Sequence, residues 1–166
     1  MATFNLYLIR HGLAGQHGDY DNDADRPLTD EGKRKTQQVA QRLAELDLKF
    51  DLILTSPLVR AKQTAAILKD AGLTKHLEDA AYLAPGGNIQ DWVNWLEGWK
   101  ESEKSLALVG HEPDLSAWAE ILIWGESQGK FTLKKAGAIG LTLPLSGSPI
   151  SNSQLFWLTL PRFFIA

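Results

Sequence analysis

Three short polar elements of the 166-residue chain carry side chains that could do chemistry together: Arg10-His11-Gly12, Ser56-Pro57-Leu58-Val59-Arg60 and Gly110-His111-Glu112-Pro113. Two imidazoles and two guanidiniums gathered in one cleft repel one another unless an anion sits among them. A phosphoryl group meets that need. Arg10 and Arg60 can each offer a planar fork to its oxygens, and free amides at helix starts after Ser56 and Glu112 would add to the field. His11 is the candidate nucleophile, because a neutral imidazole nitrogen can attack phosphorus when a backbone carbonyl holds the other ring nitrogen as a donor. Gly12 lets the chain turn sharply and bring its backbone close to the ligand. His111, once protonated, would stabilise charge on the transferring oxygens.

Such a cleft requires elements that aim the three segments at one point. Short runs rich in Leu, Ile and Val over residues 4–9, 51–55, 105–109, 138–143 and 155–160 read as buried strands, and each polar element follows directly on one of the first three. Strands apolar on both faces imply a sheet covered by helices on both sides, and parallel strand ends would converge on one pocket. Apolar residues at helical spacing mark four helices: Val39, Leu43 and Leu46; Ala61, Ala65 and Leu68; Trp92, Leu96 and Trp99; Leu115, Ala119 and Leu122. Asn88 can cap the third helix, and Pro57 and Pro113 stand where a first helical residue is expected. The expected fold is α/β, a three-layer α/β/α arrangement with a central, mostly parallel sheet, in one domain over residues 1–166.

The segment 12–27 has no apolar periodicity and reads as a loop over the end of the first strand. Its alternating Asp19, Asp21, Asp23 and Asp25 do not make a calcium loop, since Ala24 and Asp30 stand where that motif needs Gly and Glu. Residues 146–153 read as a hairpin connection. Trp92, Trp95 and Trp99 have the spacing of a buried helix face, whereas His17 and His76 have no motif around them and read as solvated.

A net charge of −3 and a pI near 5.8 speak against a general grip on nucleic acid or an anionic membrane. The chain has no cysteine, which excludes a thiolate nucleophile and a disulfide framework. The run at 4–9 has no basic segment before it and suits a strand, not a signal peptide, and no apolar stretch approaches the roughly 20 residues that span a bilayer. A cytoplasmic location is expected.

Taken in order, Leu8-Ile9-Arg10-His11-Gly12, Arg26-Pro27-Leu28-Thr29-Asp30-Glu31-Gly32, Thr55-Ser56-Pro57-Leu58-Val59-Arg60-Ala61-Lys62-Gln63-Thr64-Ala65 and Val109-Gly110-His111-Glu112-Pro113 resemble the histidine phosphatase superfamily, which is phosphoglycerate-mutase-like. The short length and the Arg-Pro-Leu-Thr form resemble its small SixA branch of phosphohistidine phosphatases. The resemblance implies that His11 is the phosphorylated nucleophile, that Arg10, Arg60 and His111 complete the phosphate pocket, and that Arg26 is an added substrate-side cation. Asp23 falls where that branch often has an acidic residue. No metal or organic cofactor is implied.

One departure bears on the substrate. Larger members supply a Glu, in the segment after the second helix, that protonates the leaving oxygen; here residues 78–88 offer no acid at an unambiguous position. A missing acid is tolerable when the leaving group is the imidazole of a phosphohistidine, and less so for an alkyl ester. The expected activity is hydrolysis of a phosphoryl group on a phosphohistidine protein through phospho-His11. The alternatives are a small-molecule phosphomonoesterase or mutase, with Glu78, Asp79, Asp23 or Glu112 as its acid, and a phosphoprotein-binding module without turnover.

Overall fold

The computed structural model describes residues 2–101, 104–163 and 165. Its centre is a six-stranded sheet of β1 (Thr3–Arg10), β2 (Leu52–Thr55), β3 (Leu77–Asp79), β4 (Ser105–Gly110), β5 (Ala138–Pro144) and β6 (Gln154–Thr159), in the spatial order β3-β2-β4-β1-β5-β6. The pairs β3–β2, β2–β4 and β4–β1 are parallel, and β5 runs antiparallel to both β1 and β6. Five strands therefore point one way, which makes the sheet mostly parallel.

Strand alternation sends side chains to two helical layers. Leu6, Leu8, Leu54, Leu106 and Leu108 pack with Trp92 and Leu96 of α3 (Ile89–Glu97) and with Trp118 and Leu122 of α4 (Asp114–Trp124). Ile9, Ile53, Ala107 and Val109 pack on the opposite face with Val39 and Leu43 of α1 (Asp30–Glu45) and with Ala61, Ala65 and Leu68 of α2 (Val59–Asp70). Each large apolar side chain so buried contributes about 1.5–3 kcal/mol. The result is the three-layer α/β/α architecture.

Local signals set the helix starts. Thr29 caps α1 by accepting from the Gly32 amide, with Asp30 and Glu31 in the positive first turn, and Asn88 caps α3 by accepting from Gln90. Gly32 is required where α1 meets the first loop, since any β-carbon there would collide with the Leu13 carbonyl.

Four expectations need correction. Segment 155–160 forms a strand but not a buried one: β6 is a sheet edge, with Leu155, Phe156 and Leu158 each more than a third exposed. Pro57 precedes the cap residue Leu58 of α2, and Pro113 is itself the cap of α4, so neither is the first helical residue. Trp99 lies beyond the Gly98 cap of α3, where it stacks on Trp95; of the three Trp only Trp92 is fully buried. A further edge strand, β3, was not among the five expected; Leu77-Glu78-Asp79 lacks an apolar run.

Candidate active site

Because β2, β4 and β1 are neighbours and parallel, their C-terminal ends lie side by side. The three polar elements begin at those ends, and they meet. The His11 and His111 rings stand 5.2 Å apart, centroid to centroid, and both are almost wholly buried. Arg60, in the first turn of α2, is 4% exposed. Arg10 closes the side nearest β5, where its Nη1 donates to the Leu133 carbonyl at 3.0 Å.

The His11 tautomer follows from its neighbour. Nδ1 lies 2.7 Å from the Gly12 carbonyl oxygen, which can only accept, so Nδ1 carries the proton and Nε2 keeps a lone pair. Burial first, opposed by that hydrogen bond, and then the charges of His111, Arg60 and Arg10 push the His11 pKa down to about 3. The ring is neutral at any ordinary pH. The Gly12 amide donates to Thr64 Oγ1, which in turn donates to the Arg60 carbonyl, so the turn after β1 is tied to the first turn of α2. A β-carbon on Gly12 would run into Thr36 Oγ1.

His111 is held by Ser56, whose Oγ is 2.7 Å from Nε2 and also accepts from the Leu58 amide. Burial, then the nearby guanidiniums with Arg60 foremost, lowers the His111 pKa to about 4, against a partly compensating pull from Asp23. An anion placed among these groups would reverse the electrostatic part of that shift. Arg10 Nε, Arg60 Nε and His111 Nδ1 are buried without a hydrogen-bond partner among the described residues, and phosphoryl oxygens are acceptors of the kind all three could use as donors.

Residues 6–81 match the histidine phosphatase superfamily (branch 1). An uncharacterized protein of Picosynechococcus is 45% identical over 162 residues, covering 96% of this chain and 98% of the relative. The solved structure of the protein histidine phosphatase SixA complexed with tungstate superposes with a TM-score of 0.82 at 26% identity, over 96% of this chain and 98% of that one. The chain belongs to the histidine phosphatase superfamily, in its SixA-type branch. A phosphoserine phosphatase variant from Entamoeba histolytica shares the fold at 18% identity, with a TM-score of 0.73 over 98% of this chain and all of that one. This histidine phosphatase is thus a phosphohydrolase whose substrates carry a phosphoryl group.

The loop between β1 and α1 adds Asp23 and Arg26, on and beside a one-turn 3-10 helix at Asp23–Asp25. Asp23 bridges two cations: Oδ1 accepts from Arg26 Nε at 2.9 Å and Oδ2 from Arg60 Nη2 at 3.1 Å, while its carbonyl takes Arg60 Nη1 at 2.9 Å. The Arg26 hydrogen bond, opposed by a smaller desolvation cost and helped by the Arg60 charge, holds the Asp23 carboxyl below the usual range. Arg26 also donates to the Gly15 carbonyl. All seven residues singled out in the sequence (Arg10, His11, Gly12, Asp23, Arg26, Arg60 and His111) fall in one connected cluster. Ser56 and Thr64 join the site through their hydrogen bonds to His111 and the Gly12 amide; Thr64 stands four residues after Arg60, the spacing that shares a helix face, which is the signal the sequence offers. No group of three or more His, Asp or Glu among the described residues is arranged to hold a metal ion.

Proposed function

We propose that this histidine phosphatase hydrolyses protein phosphohistidine through a phospho-His11 intermediate. The observation that carries the reading is the state of the carboxylates around the pocket. Asp23 is kept ionised between Arg26 and Arg60, Glu112 accepts from the Ser116 amide and hydroxyl on its two oxygens, and Asp79 pairs with Lys62. Each of these three is committed as an acceptor, so none of them holds a ready proton for an alkoxide leaving group; Glu78, the fourth candidate acid, is an exposed residue of the edge strand β3. An imidazole leaves from phosphorus without one when its distal nitrogen is already protonated.

In the first step the Nε2 lone pair of His11 attacks phosphorus and the P–N bond to the substrate imidazole breaks, its electron pair returning to that nitrogen. Arg10, Arg60 and protonated His111 stabilise charge on the three equatorial oxygens, and the dianion itself makes His111 easier to protonate. In the second step water attacks the phospho-His11 phosphorus, the P–Nε2 bond breaks, and inorganic phosphate departs with the water's proton delivered to solvent or to the phosphate. Arg26 and Asp23 act one layer out, fixing Arg60.

The test is a single-turnover assay that offers a phosphohistidine protein and an alkyl phosphate ester side by side, with His11→Ala as control. Faster release from phosphohistidine, abolished by the substitution, is the expected result. Faster ester hydrolysis would overturn the substrate assignment, and turnover that survives His11→Ala would overturn the intermediate.

A further inference from the structure

A second recess, of about 780 Å3, adjoins the phosphoryl site and shares Arg10 with it. It lies between α1, the 133–136 segment and the turn that follows β6. Among the described residues six cations line it, Arg10, Arg34, Lys35, Lys134, Lys135 and Arg162, and no aspartate or glutamate does. Lys35 is paired with Glu31 at 3.0 Å, whereas Arg34, Lys134, Lys135 and Arg162 make no ion pair among the described residues. In a chain of net charge −3 this is a local concentration set against an acidic remainder.

The apolar side chains Val39, Leu160 and Ile165 also line the recess, so it is not a simple charged surface. Lys135 belongs to the same field as the catalytic cluster: burial first, then Arg10 and Arg26, makes its ammonium easier to deprotonate. A recess of this size takes a group far larger than a phosphoryl. Cations around an apolar patch match a polypeptide segment that carries carboxylates together with an aliphatic or aromatic side chain; a free phosphate ion would leave the apolar part unused, and the net charge of −3 opposes the long polyanion of an oligonucleotide.

We propose that this recess docks an acidic segment of the protein that presents the phosphohistidine, so that substrate selection rests on flanking carboxylates read by Arg34, Lys134, Lys135 and Arg162. The inference rests on the phosphohistidine reading above. Docking of this kind raises kcat/KM for the matched substrate by steering and holding it, and it weakens with salt.

Two synthetic phosphohistidine peptides, one flanked by Glu residues and a Leu and one flanked by Gln residues and the same Leu, test it at low and high salt. Phosphoramidate, too small to reach the recess, reports the phosphoryl site by itself. The expected result is about a tenfold preference for the acidic peptide at low salt, lost at high salt and lost in Arg34→Glu/Arg162→Glu with phosphoramidate turnover retained. Equal turnover of the two peptides, or a preference that survives charge reversal, would overturn the proposal.

Binding of the unphosphorylated acidic peptide gives a readout that does not depend on catalysis. It should weaken about tenfold in the same double variant, and absence of binding, or tighter binding of a short oligonucleotide, overturns the docking surface. Failure of the phosphohistidine reading looks different: neither phosphoramidate nor either phosphopeptide is hydrolysed although the acidic peptide binds.

Discussion

Lowering the pH from 8 to 5 should cost this protein about 4 kcal/mol of stability through His11 and His111 alone. Folding holds both rings neutral, with pKa values near 3 and 4, whereas in the unfolded chain each returns to its ordinary value of about 6.5. The unfolded state therefore binds more protons below 6.5. The stability contribution is intact above that pH and is lost as the pH falls toward the folded values. At pH 5 both folded rings are still neutral, so the loss is governed by the unfolded value alone and comes to about 2 kcal/mol per ring. Urea unfolding at pH 8, 6.5 and 5 measures it, and His11→Asn and His111→Asn should each remove about half of the slope. Subtracting the double variant also removes the separate carboxylate contribution, such as that of Asp23. Inorganic phosphate at pH 5 should restore part of the loss by binding the folded state and favouring protonated His111. Stability that stays flat from pH 8 to 5, or a double variant as steep as the parent, would refute the buried neutral pair.

Ser56→Ala removes the hydroxyl beside His111 Nε2; kcat should fall about tenfold, in line with loss of one positioning hydrogen bond, with a smaller change in inorganic phosphate inhibition. Gly12→Ala should destabilise by about 1–3 kcal/mol in thermal unfolding, because its methyl meets Thr36 Oγ1, and Thr36→Ala should recover part of that in the double variant. Glu120 is fully buried and accepts from the Gln128, Lys130 and Phe131 amides; Glu120→Gln leaves one amide facing an NH2 group and should cost about 2 kcal/mol by urea titration while kcat stays near that of the parent.

The site was more legible in the sequence than the sheet that carries it. Arg10-His11-Gly12, Arg60 and His111 could be placed together because each follows an apolar run, and in a parallel sheet the C-terminal ends of such runs share one edge. The network beneath them was not legible: that Thr64 holds the Gly12 amide and Ser56 holds His111 depends on distances across strands, which periodicity does not encode. The same limit explains β6. Leu155, Phe156 and Leu158 read as core by composition, but sheet order leaves them at an edge, and order is a tertiary property. At the other edge β3 has one apolar residue in three, and it is a strand through its pairing with β2. Pro57 and Pro113 each mark a helix start correctly to within two residues, because proline tolerates several positions around a cap.

β4 lies between β1 and β2, which do not pair with each other. On the ribosome, then, the first two strands emerge with a gap between them that only a later segment can fill, and the nascent chain lacks the proposed phosphoryl site until His111 has left the exit tunnel. Closing that gap joins Asn5 to Ser105 across the intervening chain, a contact of high sequence separation that is slow to form. Phosphate binding in a stalled-chain series should consequently appear as a step after β4 has emerged, and not grow in proportion to length. Catalytic competence in this fold marks the completion of the sheet's centre.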